Sequence, residues 1–407
     1  MKKLIIPAII AAAVFTSCSS DDDSGTAIST NVEAPATYVF ERDGASTVSF
    51  SGQTTRILMA DEILGAFKDF DNTTETSLQA MFAHEEGAND FSDANLNASD
   101  KNVRSKIAAS KDFFGANATE ASQIKSTFDG YISTQINEVF PNQNTAAAPG
   151  VAGQIADGSS VRYVTGKGLE MNQAFAKGLI GALMMDQMLN NYLSTAVLDE
   201  ADNRDTNDND ITEGDNLYTT MEHKWDEAYG YLFGASANPA NPIATIGEDD
   251  SFLNEYVGRV NDDSDFDGIA LTIYNAFKLG RAAIVAKNYE VRDEQAAIIR
   301  QKVSEVIAIR GIYYLQNGKT AITNGDMGGA FHDLSEAYGF VYSLRFTRNN
   351  SDGVSFFSRS EVDGLISDLM SDGANGFWDI TPASLDTVSE AIAAKFSFTV
   401  TEAASTE

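Results

Sequence analysis

Two short segments of the sequence share a pattern of residues that could bind a metal ion. "HKWDEAYGY" begins at His223 and "HDLSEAYGF" begins at His332, so both read His-x-x-x-Glu-Ala-Tyr-Gly followed by an aromatic residue. His and Glu four positions apart lie on one face of a helix. Imidazole and carboxylate groups bind divalent transition metals, and two such pairs on facing helices can complete one site. We therefore expect His223 with Glu227, and His332 with Glu336, as candidate ligands for iron or another divalent metal.

The same two segments also fit a structural role in helix packing. On a helical wheel the apolar stripe of the first copy includes Trp225 and Ala228, and its His/Glu face lies nearly opposite, beside Gly230. The second copy has the same arrangement around Ala337 and Gly339. A glycine inside a helix costs about 1 kcal/mol relative to alanine, so matched glycines indicate that another segment approaches closely. In this interpretation the His and Glu side chains hydrogen-bond across a second packing face and bind no ion.

A different segment, "DDSDFDG", resembles the start of a calcium-binding loop. Asp263, Asp265 and Asp267 occupy alternate positions before Gly268, as in an EF-hand. The twelfth position of that loop is Tyr274, where an EF-hand has a bidentate Glu. The alternative is that these aspartates cap a helix that is predicted to begin near Gly268.

Common catalytic motifs are missing from the sequence. It contains no HExxH and no G-x-S-x-G, and the Gly-Lys-Thr at Gly318 lacks the spacing of a phosphate-binding loop. A pair of catalytic carboxylates follows no spacing rule, so a carboxylate-dependent hydrolase stays an alternative. Three further residues are isolated candidates. We expect Glu170 to be a buried carboxylate paired with Lys or Arg and a weak ligand candidate, Arg281 to pair with a core carboxylate, and His84 to be exposed.

The elements that must position these residues are mainly helices. Strong helix formers fill long stretches, and only 7 prolines occur among 407 residues, which predicts a helical bundle. Aromatic and β-branched residues around Asp43 and Gly44 predict a small N-terminal β-hairpin. Loops are predicted over 141–160 and over the acidic segment 198–216. After a helix from Thr55 onward, helices are predicted over 101–114, 118–140, 167–198, 214–233, 251–259, 267–289, 293–317, 326–345, 360–371 and 384–395.

The N-terminus has the pattern of a targeting segment. Residues 1–17 contain two lysines, an apolar run and small residues before Cys18, which predicts a cleaved signal peptide. Phe15-Thr16-Ser17-Cys18 loosely resembles a bacterial lipobox, so Cys18 is the expected lipidation site and 18–36 the expected tether. "SSDDDSG" resembles the acidic export signal of surface lipoproteins. We therefore expect an outer-membrane lipoprotein, anchored by lipid on the cell surface of a Gram-negative bacterium of the Bacteroidota type.

Net charge and cysteine content exclude some kinds of partner and site. The formal net charge is −31, which excludes nucleic acid as an expected partner and favours cations or basic proteins. Cys18 is the only cysteine, so neither an internal disulfide nor a thiolate metal cluster is possible.

The recurrence of the motif suggests an internal duplication. The two histidines are 109 positions apart (332 minus 223), a length that fits two or three helices. We therefore predict one helical domain over 37–407, built of two related bundles at approximately 37–240 and 241–407.

Four stretches of the sequence resemble an uncharacterised lipoprotein family of Bacteroidota, domain-of-unknown-function family 4856. They are "TYVF…VSFSGQTTRI", "GLEMNQAFAKGLIGALMMDQMLNNYL", "HKWDEAYGYLFG" and "AFKLGRAAI". The resemblance covers essentially the whole mature chain. It implies no established activity, but it implies a relation to imelysin-type lipoproteins, which are helical, are built of two related bundles and are associated with iron uptake. An outer-membrane transporter or an imelysin-type lipoprotein is the partner that this relation implies.

The imelysin signature Gly-x-His-x-x-Glu is absent from both motif copies. The residue three positions after each histidine is Asp226 or Ser335, so the metal residues of imelysins cannot be carried over. Three functions remain as hypotheses. The first is a surface lipoprotein that binds metal or an iron-containing ligand in iron acquisition. The second is a non-catalytic interaction or structural module of an outer-membrane complex, and the third is the carboxylate-dependent hydrolase.

Overall fold

A computed structural model describes residues 32–371 and 374–405 of this chain. The signal peptide (1–17), Cys18 and most of the predicted tether lie outside the described residues. Helices dominate the described residues, and two short antiparallel hairpins accompany them. The mainly helical class is therefore confirmed. Among the residues that the structure describes, no helix combines the length and the apolar character needed to cross a membrane.

The predicted N-terminal hairpin is present and turns at the predicted residues. Strand β1 (Glu41–Arg42) pairs with strand β2 (Ala45–Ser46). Asp43 and Gly44 both have positive φ, 56° and 80°. Such a two-residue turn favours the Asp-Gly pair because glycine adopts a positive φ without steric cost.

Helices follow the hairpin, but the helix predicted over 101–114 is wrong. That segment contains a 3₁₀ turn at Arg104–Lys106 and a single helical turn after Ser110. The buried carboxylate of Asp186 accepts hydrogen bonds from the N–H groups of Ala109 and Ser110, both at 2.9 Å, and this holds the chain in a turn. The helices are α1 (Ser51–Ala66), α2 (Glu75–Phe82), α3 (Ala94–Asn97), α4 (Lys111–Phe114) and α5 (Ala118–Thr134).

A second hairpin interrupts the segment that was predicted as a loop over 141–160. Strand β3 (Gly153–Asp157) pairs with strand β4 (Ser160–Val164). Gly158, after Asp157, has φ 55° and allows the turn. The high Gly, Pro and Asn content of the preceding residues obscured this Asp-Gly signal.

The long apolar helix predicted over 167–198 is not uniform. Helix α6 (Met171–Leu179) continues into two π-helical stretches, Ile180–Met185 and Met188–Tyr192. The acidic segment 198–216, predicted as a loop, contains a short helix. The short helices here are α7 (Thr195–Leu198) and α8 (Asn203–Asp208).

The C-terminal half is a set of helices arranged around the longest one. Helix α12 (Tyr289–Asn324) runs for 36 residues and packs against α10 (Leu253–Asp262), α11 (Ile269–Val285), α13 (Met327–Ser343) and α15 (Pro382–Ala393). The predicted segments 293–317, 326–345 and 384–395 all fall on helices. The elements are α9 (Thr220–Phe233), α10 (Leu253–Asp262), α11 (Ile269–Val285), α12 (Tyr289–Asn324), α13 (Met327–Ser343), α14 (Arg359–Ser371), α15 (Pro382–Ala393) and α16 (Val400–Ala403).

A buried ion network joins the N-terminal hairpin to α9 and α11. Arg281 is fully buried and lies 3.1 Å from both Glu222 and Asp226. Tyr38 donates to Asp226 at 2.7 Å, and Arg42 contacts Glu222 at 3.0 Å. The expected pairing of Arg281 with core carboxylates is therefore present. Burying any one of these charges alone would be costly, so each charged side chain needs its partner. The network therefore holds together segments that are far apart in sequence.

His84 is buried, whereas we expected it to be exposed. It is 2% exposed, and its Nδ1 lies 2.7 Å from the Asp90 carboxylate. Phe91 packs edge-on against this imidazole, with ring centroids 5.2 Å apart, so the side chain that we expected in solvent lies against an aromatic ring.

Candidate functional site

The first motif copy lies on α9 and packs against the start of α1. Its histidine, His223, donates from Nδ1 to the carbonyl of Ser49 at 3.1 Å and stacks on Tyr218 with ring centroids 4.5 Å apart. Gly230 faces Phe50 so closely that a Cβ on the glycine would lie 2.5 Å from the Phe50 Cβ. The close approach predicted at the second packing face is therefore present.

The carboxylate of the first copy is already neutralised by its neighbours. Glu227 accepts from Lys224 at 2.7 Å and from Gln53 at 3.0 Å, and His223 Nε2 is 4.0 Å away. Burial raises the pKa of Glu227, but the positive charges of Lys224 and His223 outweigh burial, so the net pKa is lowered. A metal ion at this carboxylate would have to displace the lysine.

The second motif copy lies on α13 and packs against the start of α6. His332 Nδ1 is 3.1 Å from Glu170 Oε1, and its Nε2 is 3.7 Å from Glu336 Oε1. Lys177 Nζ lies 3.4 Å from the same Glu336 oxygen, with both side chains 7% exposed. The imidazole is therefore held between two carboxylates, of which one also has a lysine partner.

The protonation of this cluster follows from its charges. Burial lowers the pKa of His332, but the hydrogen bond and charge of Glu170 outweigh burial and raise it overall. Burial raises the pKa of Glu336, but Lys177 and His332 outweigh burial and lower it overall. Burial raises the pKa of the neighbouring Asp333 to about 7. The cluster therefore favours a protonated His332 beside an ionised Glu336.

The two copies make corresponding contacts with the helix that each one packs against. The N–H of Ser49 donates to Asp226 at 3.2 Å, and the N–H of Glu170 donates to Ser335 at 2.9 Å. Asp226 and Ser335 each stand three residues after the motif histidine. Gly339 also packs closely against a neighbouring helix, as the glycine of the first copy packs against its neighbour. A Cβ added at Gly339 would lie 2.4 Å from the Cβ of a lysine on α6.

These corresponding contacts agree with an internal duplication, which stays a prediction. The copies differ where α1 and α6 begin: the first has Ser49 at the position where the second has Glu170. Only the second copy therefore has a carboxylate on the far side of its imidazole.

The partners of the two histidines are different residues, and the described chain shows no shared ion site. His223 contacts Ser49 and Tyr218, whereas the second histidine contacts Glu170 and Glu336. Within residues 32–371 and 374–405, no group of three or more His, Cys, Asp or Glu side chains is arranged to hold a metal ion.

The calcium candidates lie at the turn between α10 and α11. Asp263 is 6% exposed, accepts from the N–H of Asp265 at 3.0 Å and hydrogen-bonds the Ser405 hydroxyl. Asp265 and Asp267 are exposed. Helix α11 begins after Gly268, which has a left-handed conformation and supplies no side-chain cap, and the Asn261 Oδ1 accepts from the N–H of Ala270 in the first turn at 3.2 Å. The alternative that an aspartate caps this helix is therefore wrong, and Asp263 instead braces the turn against the C-terminus.

Sequence reasoning missed the groups that complete the second copy. Glu170 was expected to be buried, and it is 4% exposed, but its partner is His332 and not the expected Lys or Arg. Lys177 was predicted only as part of an apolar helix. No motif in the sequence marks this lysine, so only the packing of α6 on α13 brings it to Glu336.

Over residues 32–371 and 374–405, the fold and these contacts define a class: a mainly helical domain with two short hairpins, in which buried polar contacts hold neighbouring helices together. A family model described as "Domain of unknown function (DUF4856)" matches residues 35–399. The chain therefore belongs to this family, as the resemblance implied. No match was found among curated proteins or among solved structures.

Proposed function

We propose that this protein is a non-catalytic, lipid-anchored binding component of iron acquisition that acts through contacts with a partner. In this proposal it does not carry a bare metal ion in its repeated motif. The observation that carries the proposal is the charge pairing at both copies. Glu227 has Lys224 at 2.7 Å, and Glu336 has Lys177 at 3.4 Å. Both motif carboxylates therefore already have a lysine partner, and the contacts of Glu227 with Gln53 and of Glu336 with Lys177 cross between helices, as in the second hypothesis from the sequence.

The iron context comes from the resemblance to lipoproteins related to imelysins. The net charge of −31 supports a cationic ligand or a basic partner protein. Cys18 supplies the anchor in this proposal, and the partner is an outer-membrane transporter or an imelysin-type lipoprotein. The motif carboxylates are poor candidates for the catalytic groups of a hydrolase because each is paired with a lysine, whereas a catalytic carboxylate must reach its substrate.

Metal titration distinguishes this proposal from direct metal capture. We expect anaerobic calorimetry of the mature chain with Fe²⁺ to show no near-stoichiometric heat. We expect His332→Ala to lower the melting temperature, because it leaves Glu170 without its charged partner. The exposed Glu85→Gln is the matched control and should melt like the wild type. Stoichiometric iron binding that His332→Ala abolishes would restore the metal-capture hypothesis.

Growth under iron limitation tests the biological context. We expect a strain that lacks this protein to grow more slowly with limiting iron and normally with abundant iron. The wild-type gene should restore growth, and Cys18→Ser should not, because the chain would lose its anchor. Equal growth of the deletion strain and the parent in limiting iron would remove the iron role.

A further inference from the structure

A cavity of about 460 Å³ lies between one face of α5 and the turn that precedes α4, and we call it the α4–α5 cavity. The α5 residues that line it recur at helical spacing and are Ala118, Ala121, Ser122 and Lys125. The other wall includes the segment 108–111. Most of these residues are alanine or serine, so the two walls leave between them a space that larger side chains would fill.

Buried hydrogen bonds hold the wall that faces α5 in place. Ala108 has an unusual positive φ of 45°, and its N–H donates to the Ala182 carbonyl at 2.8 Å. The next two N–H groups, of Ala109 and Ser110, donate to the buried carboxylate of Asp186. Because these backbone groups already have partners, the cavity is formed before a ligand arrives, as is usual for small-molecule sites.

The charged side chains among the described residues that line the cavity are all cations. They are Arg104, Lys111 and Lys125. This lining differs from the chain as a whole, which has 59 acidic and 28 basic residues. Salt screens exposed charges that are more than about 8–10 Å apart, so distant carboxylates have little influence inside the cavity. The three cations in the lining therefore favour an anion.

Lys125 is the cation of this lining that lacks an acidic partner. Its Nζ contacts the Ser105 carbonyl at 3.3 Å, and no carboxylate pairs with it in the part of the chain that the structure describes. Burial, and then the positive charge of Arg104, lower the pKa of Lys125. An anion in the cavity would supply the opposite charge that this ammonium group lacks.

The other two cations have acidic partners that lie outside the lining. Arg104 donates two hydrogen bonds to Asp129, at 2.8 and 2.7 Å, so this carboxylate neutralises most of its charge. Lys111 lies 2.6 Å from Glu200, and the two side chains are 42% and 52% exposed. An ion pair this exposed is worth little, so Lys111 is available to a ligand at small cost.

We propose that the α4–α5 cavity binds a small organic anion with two or more carboxylate or phosphate groups, held by Lys125 and Lys111. A water molecule occupies about 30 Å³ of the liquid, so 460 Å³ admits at most roughly fifteen non-hydrogen atoms. The alanine methyl groups and the ring of Phe114 give the carbon skeleton of such a ligand apolar contacts. This inference goes beyond the proposed function and does not depend on a role in iron acquisition.

The test compares probes of similar size and different charge on the full mature chain. NMR titration at low ionic strength would use succinate, neutral 1,4-butanediol and cationic 1,4-diaminobutane, which share a four-carbon skeleton, together with pyrophosphate. We expect succinate and pyrophosphate to bind at least tenfold more tightly than 1,4-butanediol, and 1,4-diaminobutane to show no binding in this cavity. Binding of one of the two anions alone would still support the site and would show which group it prefers. Equal affinity for succinate, pyrophosphate and 1,4-butanediol, or no binding of either anion, would overturn the proposal.

A charge variant tests the role of the lysine without an acidic partner. Lys125→Gln should weaken binding of the anions at least fivefold, because it removes the unpaired positive charge. Lys395→Gln, in an exposed ion pair outside the lining, changes the net charge by the same amount and is the matched control. It should leave anion affinity unchanged. Equal weakening by the two variants would mean that net charge, and not this cavity, attracts the anion.

A bulky variant locates the binding in the cavity. Ser122 is an exposed residue of the lining, so Ser122→Trp should fill the space and abolish anion binding without disturbing the core. Thr119→Trp, at an exposed position of α5 outside the lining, should bind as the wild type does. Melting temperatures would confirm that both variants are folded. Wild-type anion affinity in folded Ser122→Trp would contradict the proposed site.

Discussion

The glycines of the motif are the residues at which the sequence pattern has the clearest physical cause. Gly230 and Gly339 sit at the same motif position, and each lies against a neighbouring segment with no room for a methyl group. At Gly339 the added Cβ would also lie 2.9 Å from the backbone nitrogen of Gly178, which cannot move independently of α6. Close packing at two helix contacts therefore requires glycine at this motif position. This requirement does not depend on what the motif histidines bind.

Substituting these glycines tests that requirement. We expect Gly339→Ala to lower the free energy of unfolding by about 1–3 kcal/mol, because overpacking forces α6 and α13 apart. Gly230→Ala should behave similarly, with Phe50 as the obstacle. Gly130, inside α5, has nothing within 4 Å of an added Cβ and is the matched control. Gly130→Ala should stabilise by about 0.5–1 kcal/mol through helix propensity.

Urea unfolding monitored by circular dichroism would give these values. If Gly339→Ala were as stable as Gly130→Ala, the close packing that explains the motif would be wrong.

At the scale of elements, the sequence correctly predicted the turns and helices whose formation depends on neighbouring residues. The Asp43-Gly44 hairpin and the long helices over 269–285 and 289–324 follow from turn chemistry and apolar periodicity, which depend on nearby residues alone. The helix predicted over 101–114 failed because the competing hydrogen bonds come from Asp186, more than 70 residues away. No pattern of neighbouring residues predicts a hydrogen-bond partner so distant in sequence.

The candidate site also has one part that the sequence predicted and one part that it did not. The spacing of His332 and Glu336 placed them on one helical face, as i and i+4 residues must lie. Glu170 and Lys177 join them only because α6 packs on α13, which no spacing in the sequence encodes.

At the scale of the whole molecule, buried acids give the protein an unusual response to pH. Burial raises the pKa of Asp186, Asp250 and Asp333 to about 7 in each case. Between the ordinary pKa of an aspartate and pH 7, the folded chain binds protons that the unfolded chain does not. Stability must therefore rise as pH falls through this range.

The shifted pKa values of His332, Glu222 and Glu336 do not oppose this trend near neutral pH. The pKa of His332 is also raised, so its contribution to stability is lost as pH rises through its folded-state pKa, which acts in the same direction. Glu222 and Glu336 have lowered pKa values. Their contributions are lost only at acidic pH, as the solution falls below the ordinary pKa of a glutamate.

We therefore expect the free energy of unfolding to increase between pH 8 and pH 6, by on the order of 1 kcal/mol for each raised carboxyl. Asp186→Asn isolates one contribution, because the amide oxygen still accepts from Ala109 and Ser110 but carries no charge. This variant should be more stable than the wild type at pH 8. Its free energy of unfolding should also change less between pH 8 and pH 6, by about the contribution of one raised carboxyl. The exposed Asp368→Asn should leave the slope unchanged. Urea unfolding at pH 6, 7 and 8 measures the slope directly. A wild-type stability that falls from pH 8 to pH 6 would mean that the buried carboxyls are ionised in the folded chain, and the charge balance described for its core would have to be revised.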